Sequence, residues 1–430
     1  MSGDMMVFRC HGCGVKVDAG TSLPFRCPNA GRPGDDTDHV LAVDETATTP
    51  PSGSESNPFL RYRALLSPYR LARAAGLSDA AWTDIVAGLD AALIAVDGRG
   101  FRITPMQDEP RLARALGRTG RVWVKDETGN VAGSHKARHL MGVLLYLRVL
   151  ELARLPAGKD LRARRLAIAS CGNAALAAAV VARAADWPLD VFIPPEVDPV
   201  VKKILQGFGA GMTICERRSG EAGDPCFLRF REAVARGAIP FGVQCPENGL
   251  AIEGGRTLAL EMAQGFGGVV APDRLFVQVG GGALASALAQ GFALARGLGL
   301  VSGLPKLMAV QAARCAPLAR AWQRLTSLDL GEAAHHRSRF MWPWETAPVS
   351  LASGILDDET YDWWAVAEGM RASGGAPIVV DEDVLAAARD AAHNHTGIRV
   401  SATGASGLAG AMALAADGGD IAVVFSGVER

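Results

Sequence analysis

The sequence predicts an α/β protein built on parallel sheets covered by helices. From residue 121 onward, short apolar runs alternate with longer segments whose apolar residues recur at spacings of three and four. Several of the short runs are apolar without a break, as strands buried on both faces are. Composition agrees: aromatic residues make up 6% and glycines number 50 of 430 residues, which suits close helix–sheet packing.

Taken in order, residues 1–44 form a small head with little periodicity that holds Cys10, Cys13 and Cys27. Residues 45–58, ETATTPPSGSESNP, have linker composition. Globular patterning begins at 59, and 59–120 reads as mostly helical. Strands are predicted over 121–125, 166–169, 189–193, 212–215, 275–279, 307–310 and 421–425. Helices are predicted from near Ser134 to Leu152 and over 173–185, 199–207, 254–264 and 283–296. A chain of 430 residues exceeds one simple core, so two lobes are expected.

The net charge of −1, with acids and bases interspersed, gives no electrostatic footprint for nucleic acid or an anionic membrane. The longest apolar stretches, such as 174–182, are too short to span a bilayer. Residues 1–9 lack a charged start followed by an apolar run, so no secretory signal is expected. The other five cysteines show no framework spacing, and reduced thiols in the cytoplasm are the expectation.

In open parallel sheets ligands sit beyond the carboxyl ends of strands, which draws attention to three strand-to-helix junctions. The first, KDETGNVAGSHKAR, puts Lys136 in the first turn of a helix. Positive charge is disfavoured there by the helix dipole, and that field favours the neutral amine, the form that attacks an aldehyde. An ordinary exposed lysine is the alternative. The second, SCGNAA, offers backbone N–H groups and the Asn173 amide to an anion, or is a plain cap made by Ser170 or Asn173. The third, VGGGAL, lets the backbone wrap a phosphate at a helix start. Gly280, Gly282 and Ala285 also match a dinucleotide fingerprint. That fingerprint needs an acid about 20 residues on, and 296–306 contains none, which disfavours a nicotinamide cofactor. Finally, the last apolar strand runs into Ser426–Gly427.

In this order the segments resemble the fold-type II enzymes that use pyridoxal 5′-phosphate (PLP), and threonine synthases in particular. GSHKAR resembles their Schiff-base segment, SCGNAA their asparagine loop, VGGGAL their phosphate loop and FSG their pyridine-nitrogen segment. Lesser likenesses at RYRALL, EGGRTLALEMA and SATGASGLAG extend the resemblance over 59–430. It implies a larger PLP-binding domain, 59–124 with 240–430, and a smaller mobile domain, 125–239. It also implies a homodimer. Lys136 would carry the cofactor as a Schiff base and shuttle the α-proton. Asn173 would bond the cofactor's 3′-oxygen, and Ser170, Cys171 and Gly172 would line the pocket for the substrate carboxylate. Gly280, Gly281, Gly282 and Ala283 would hold the phosphate, and Ser426 would face the pyridine nitrogen. A neutral hydroxyl there leaves the ring a weaker electron sink than a carboxylate would, which favours expulsion of a leaving group over transamination. The implied activity is therefore a lyase working by β-elimination or by β- or γ-replacement on a small hydroxy- or phospho-amino acid. A catalytically idle sensor of the same fold is the alternative.

Two departures stand out. His135 replaces the usual Phe beside the lysine, as in tryptophan synthase β chains, where a histidine helps hold the phosphate; a packed or solvent-facing ring is the other reading. The segment VSATGAS lacks the acid and proline that many relatives carry. Asp357 and Asp358 read as substrate-side or surface acids. In the head, Cys10, Cys13, Cys27 and His39 make a three-Cys, one-His zinc set, and threonine-synthase-like proteins often open with a zinc-ribbon-like segment. The second half lacks a paired knuckle, so free reduced cysteines remain the competing reading.

Overall fold

The computed structural model describes residues 6–44, 50–51, 53–221, 223–267, 270–325, 329–346 and 348–430. Residues 45–49 and 52 of the expected linker, and residues 1–5 of the segment read for a secretory signal, lie outside the described residues. The strands, in chain order, are β1 (Val7–Cys10), β2 (Lys16–Asp18), β3 (Leu41–Val43), β4 (Met106–Asp108), β5 (Val122–Asp126), β6 (Leu166–Ala169) and β7 (Leu189–Ile193). They continue as β8 (Gly211–Ile214), β9 (Ile239–Pro240), β10 (Arg274–Gln278), β11 (Lys306–Ala312), β12 (Ala376–Val380) and β13 (Ile421–Phe425).

The chain divides into two compact units. The first comprises Met1–Ala47, Pro51–Arg102 and Lys136–Gly254; the second comprises Thr48–Pro50, Ile103–His135 and Gly255–Arg430. In the first unit the head is an antiparallel sheet of order β2-β1-β3, and a separate parallel sheet runs β8-β7-β6-β9. The second unit holds a six-stranded sheet of order β12-β11-β10-β13-β5-β4, parallel except for the edge strand β4.

The central strands are the ones the sequence marks most clearly. β6 and β13 are buried at every residue, as uninterrupted apolar runs require when helices cover both faces. Helices follow the strands: Lys136–Leu152, Asn173–Ala184 and Pro199–Gly207 in the first unit, and Ala283–Gly297 in the second. The core of the second unit packs Val122, Val124, Phe276, Val310 and Val423 against Leu408, Ala405 and Leu385. Among the described residues no helix is long and apolar enough to cross a membrane.

Candidate functional site

The second unit carries the glycine turn. β10 ends at Gln278, and Gly282, with φ 95° and no side-chain capping bond, begins the helix Ala283–Gly297. A Cβ on Gly280 would lie 2.4 Å from Asp357 Oδ2 and 2.8 Å from the Ile355 Cα, so only glycine fits this close approach. The Gly281 N–H donates to Asp357 Oδ2 at 2.7 Å, and the Gly281 carbonyl accepts from the Asp362 N–H at 2.9 Å. At this helix start a carboxylate of the same chain thus takes a backbone N–H, as an anion would. Nothing local to residues 357–358 marks that role; the fold alone brings Asp357 to the turn.

At the end of β13, Ser426 is 3% exposed. Its Oγ accepts from the His135 N–H at 3.0 Å and lies 2.5 Å from His135 Nδ1, a bond whose direction depends on the ring tautomer. The His135 ring is buried against that hydroxyl.

Between β5 and His135 the chain is held by a buried polar network. Lys125 Nζ donates to the Thr104 carbonyl and to Glu261 Oε2, each at 2.6 Å. Thr104 Oγ1 donates to Glu127 Oε1 at 2.5 Å, Asn130 Nδ2 donates to Glu127 Oε2 at 2.9 Å, and the same amide reaches the Ser134 carbonyl at 3.2 Å. Inside this loop Ala132 adopts φ 53° and ψ 19°, a left-handed conformation that costs a residue with a Cβ about 1–2 kcal/mol, and Gly133 follows at φ 69°. Sequence reasoning missed the network. Its signal was present: the charged run Lys125, Asp126 and Glu127 at the end of an otherwise apolar strand.

In the first unit, half-buried Lys136 is the first residue of the helix Lys136–Leu152, joined to His135 by one peptide bond. One turn on, His139 is fully buried and its Nδ1 bonds the Ala251 carbonyl at 2.7 Å. Burial, reinforced by the Lys136 charge, pushes its pKa down to about 3, so the imidazole is neutral. After β6, Ser170 Oγ accepts from the Gly172 N–H at 3.3 Å, and Gly172 begins the helix Asn173–Ala184 with no side-chain cap. Neither Ser170 nor Asn173 therefore caps it. Cys171 is exposed, while Ser170, Gly172 and Asn173 are half-buried.

The head gathers its four predicted ligands. One ligand atom from each of Cys10, Cys13, Cys27 and His39 lies within 4.8 Å of all the others. The Cys13 and Cys27 sulfurs are 3.6 Å apart, and Cys10 Sγ is 3.4 Å from His39 Nδ1. Such edges suit a tetrahedron of thiolates and imidazole around zinc, where metal–sulfur bonds are about 2.3 Å. The other ring nitrogen, His39 Nε2, lies 2.6 Å from Asp35 Oδ2, the carboxylate–histidine pairing that orients a metal ligand. Asn29 donates to two sulfurs, its N–H to Cys27 and its side chain to Cys13, both at 3.4 Å. Burial raises the Cys13 thiol, but hydrogen bonds from Val15, Asn29 and Cys27 outweigh it and bring the pKa down to about 7. The head is fastened to the rest of the first unit by Tyr146 Oη donating to the Ala19 carbonyl at 2.7 Å and the Gly249 N–H donating to the Phe25 carbonyl at 2.8 Å.

Residues 99–427 match a protein family described as "Pyridoxal-phosphate dependent enzyme". The threonine synthase of Methanosarcina acetivorans is 28% identical over 309 residues, covering 71% of this chain and 68% of that protein. The threonine synthase of Synechocystis sp. is 26% identical over 291 residues, 66% of this chain and 65% of its own length. The match thus spans about two thirds of these relatives. Among solved structures, a threonine deaminase from T.th. superposes with a TM-score of 0.57 at 22% identity, covering 80% of this chain and 98% of that one. Threonine deaminase isoform 2 of Solanum lycopersicum gives 0.58 at 16% identity, covering 90% and 94%. At such identities the structural likeness is one of fold.

Proposed function

The chain belongs to the pyridoxal-phosphate dependent enzyme family, with the fold-type II architecture, and from that premise we propose the reaction and the residues that perform it. The reaction is β-elimination, or β- or γ-replacement, on a small hydroxy- or phospho-amino acid. The observation that carries this reading is Ser426: a buried neutral hydroxyl, rather than a carboxylate, ends β13.

The side chains and backbone fit the cofactor. In the turn at 280–283 the Gly281 N–H is held by a carboxylate, an anion, and the glycines leave room where a Cβ would collide. Gly280, Gly281, Gly282 and Ala283 would hold the phosphate, Asn173 would bond the 3′-oxygen, and Ser426 would face the pyridine nitrogen. When bound, the cofactor supplies the electron-withdrawing ring that acidifies the substrate's α-proton. Lys136 anchors the cofactor and its Nζ takes and returns that proton as general base and acid. Ser170, Cys171 and Gly172 receive the substrate carboxylate. His135 orients the Ser426 hydroxyl and keeps water from it. Because Ser426 carries no charge, it would not enforce protonation of a bound ring, which would favour loss of a leaving group over transamination.

In the head, Cys10, Cys13, Cys27 and His39 hold a structural zinc ion. The support is the four-atom cluster with its Asp35 and Asn29 partners.

A substrate panel tests the reaction. The cofactor-loaded protein is given serine, threonine and O-phosphohomoserine in turn, and ammonia, phosphate and 2-oxo acid are assayed. Release of a 2-oxo acid with ammonia supports elimination, and phosphate release with formation of threonine supports replacement. A coloured protein that turns over none of them overturns the lyase reading in favour of an idle sensor.

A further inference from the structure

We propose that residues 426–430 form a strap that sets the backbone of the loop leading into Lys136, with Arg430 as a positioning residue. The inference rests on Lys136 being the amine that carries the cofactor. Past β13 the chain runs between two neighbours, turning at Gly427 (φ 111°), and bonds both of them. On one side, the Ser426 hydroxyl accepts from the His135 N–H at 3.0 Å. The Val428 N–H donates to the Gly133 carbonyl at 2.9 Å, and Arg430 Nη2 donates to the Ala132 carbonyl at 2.7 Å. On the other side, the Gly427 carbonyl accepts from the Ser401 N–H at 2.8 Å and the Glu429 N–H donates to the Arg399 carbonyl at 3.0 Å. Arg399 and Glu429 also pair through their side chains at 2.6 Å. Ser426, Val428 and Arg430 thus grip 132–135 while Gly427 and Glu429 are pinned to 399–401.

The gripped loop carries backbone strain that the polar network around Glu127 and Asn130 does not itself explain. Ala132 sits at φ 53°, where a residue with a Cβ persists only if its surroundings over-determine it. The Arg430 guanidinium bonds that residue's carbonyl. Gly133, at φ 69°, lies so close to the strap that a Cβ would come within 2.5 Å of Val428 Cγ1. Three residues past Gly133 stands Lys136. A rotation at 132–133 propagates along the backbone to the lysine, so the strap sets where its amine starts.

The test uses the full chain, with and without pyridoxal phosphate, and the variants Arg430→Ala and Arg430→Lys. Without cofactor, hydrogen exchange of the Gly133 and His135 amides should rise at least about tenfold in Arg430→Ala, since loop opening becomes easier. With cofactor, the pH midpoint of the bound cofactor's visible absorbance should move, and kcat should fall about tenfold with KM within about twofold, the pattern of a misplaced catalytic group. Arg430→Lys keeps a donor and should recover most of each effect, and it keeps the test open should the alanine variant fold poorly. Wild-type exchange and wild-type absorbance in Arg430→Ala overturn the proposal. Altered exchange in a protein whose wild-type form gives no borohydride adduct at Lys136 overturns the cofactor role and the positioning role, but leaves the strap itself standing.

Discussion

Replacing Glu261 by alanine strands the Lys125 ammonium in the core of the second unit. The two side chains are 2.6 Å apart, at 1% and 0% exposure, so neither can turn to water. Glu261 Oε2 also accepts from the Thr104 N–H at 3.1 Å. Removing one partner of such a pair costs about 3–5 kcal/mol, because the remaining charge keeps its desolvation penalty and loses its compensation. For a unit of this size each kcal/mol lowers the melting temperature by about 2–4 °C, so a fall of roughly 6–20 °C is expected. The double variant Lys125→Met/Glu261→Leu removes both charges and leaves mainly the Thr104 groups to be satisfied anew, at about 1–3 kcal/mol. It should therefore recover about half of the loss. Thermal melting and urea titration followed by circular dichroism measure both. A Glu261→Ala protein within about 1 kcal/mol of wild type, or a double variant no more stable than the single one, refutes the reasoning.

Three further outcomes follow from the same geometry. Asp357→Asn removes negative charge from the glycine turn, and pyridoxal phosphate should bind about five- to tenfold more tightly in an absorbance titration; unchanged affinity puts the phosphate elsewhere. Metal analysis of the purified protein should find one zinc per chain, lost in Cys13→Ser together with a lower melting temperature, and a zinc-free wild type contradicts the cluster's role. His139 refuses a proton when folded, with a pKa near 3, but accepts one near 6.5 when unfolded. Its contribution to stability is therefore complete above pH 6.5 and is lost as pH falls toward 3, with a slope of about 1.4 kcal/mol per pH unit. Urea midpoints between pH 7 and 5 should fall less steeply in His139→Asn; equal slopes would exclude it.

What was legible in the sequence followed from local pattern. β6, β7 and β13 coincide with predicted strands because each is a short, mainly apolar run with no competing period, Asp190 in β7 being the one polar residue. β12 escaped notice because Pro377 interrupts it, and a proline is tolerated there only at the edge of a sheet, a position that local pattern does not reveal. The head strands β1, β2 and β3 span three or four residues each, too short for any periodicity to register. The motif residues were legible in the same local way, as strand–loop–helix junctions. Their partners were not. Asp357 reaches Gly281 across 76 positions, and Ser426 reaches His135 across 291, distances at which only the sheet order decides who meets. Asp35 and Asn29 gain meaning only once the head turns bring them to His39 and Cys13.

Reduction of the cofactor-loaded protein with borohydride, followed by proteolysis and peptide mass analysis, tests the role of Lys136 most directly. The prediction is a single pyridoxyl-modified peptide carrying the adduct on Lys136, absent from Lys136→Ala. An adduct on any other lysine, or one that persists when Lys136 is gone, contradicts it.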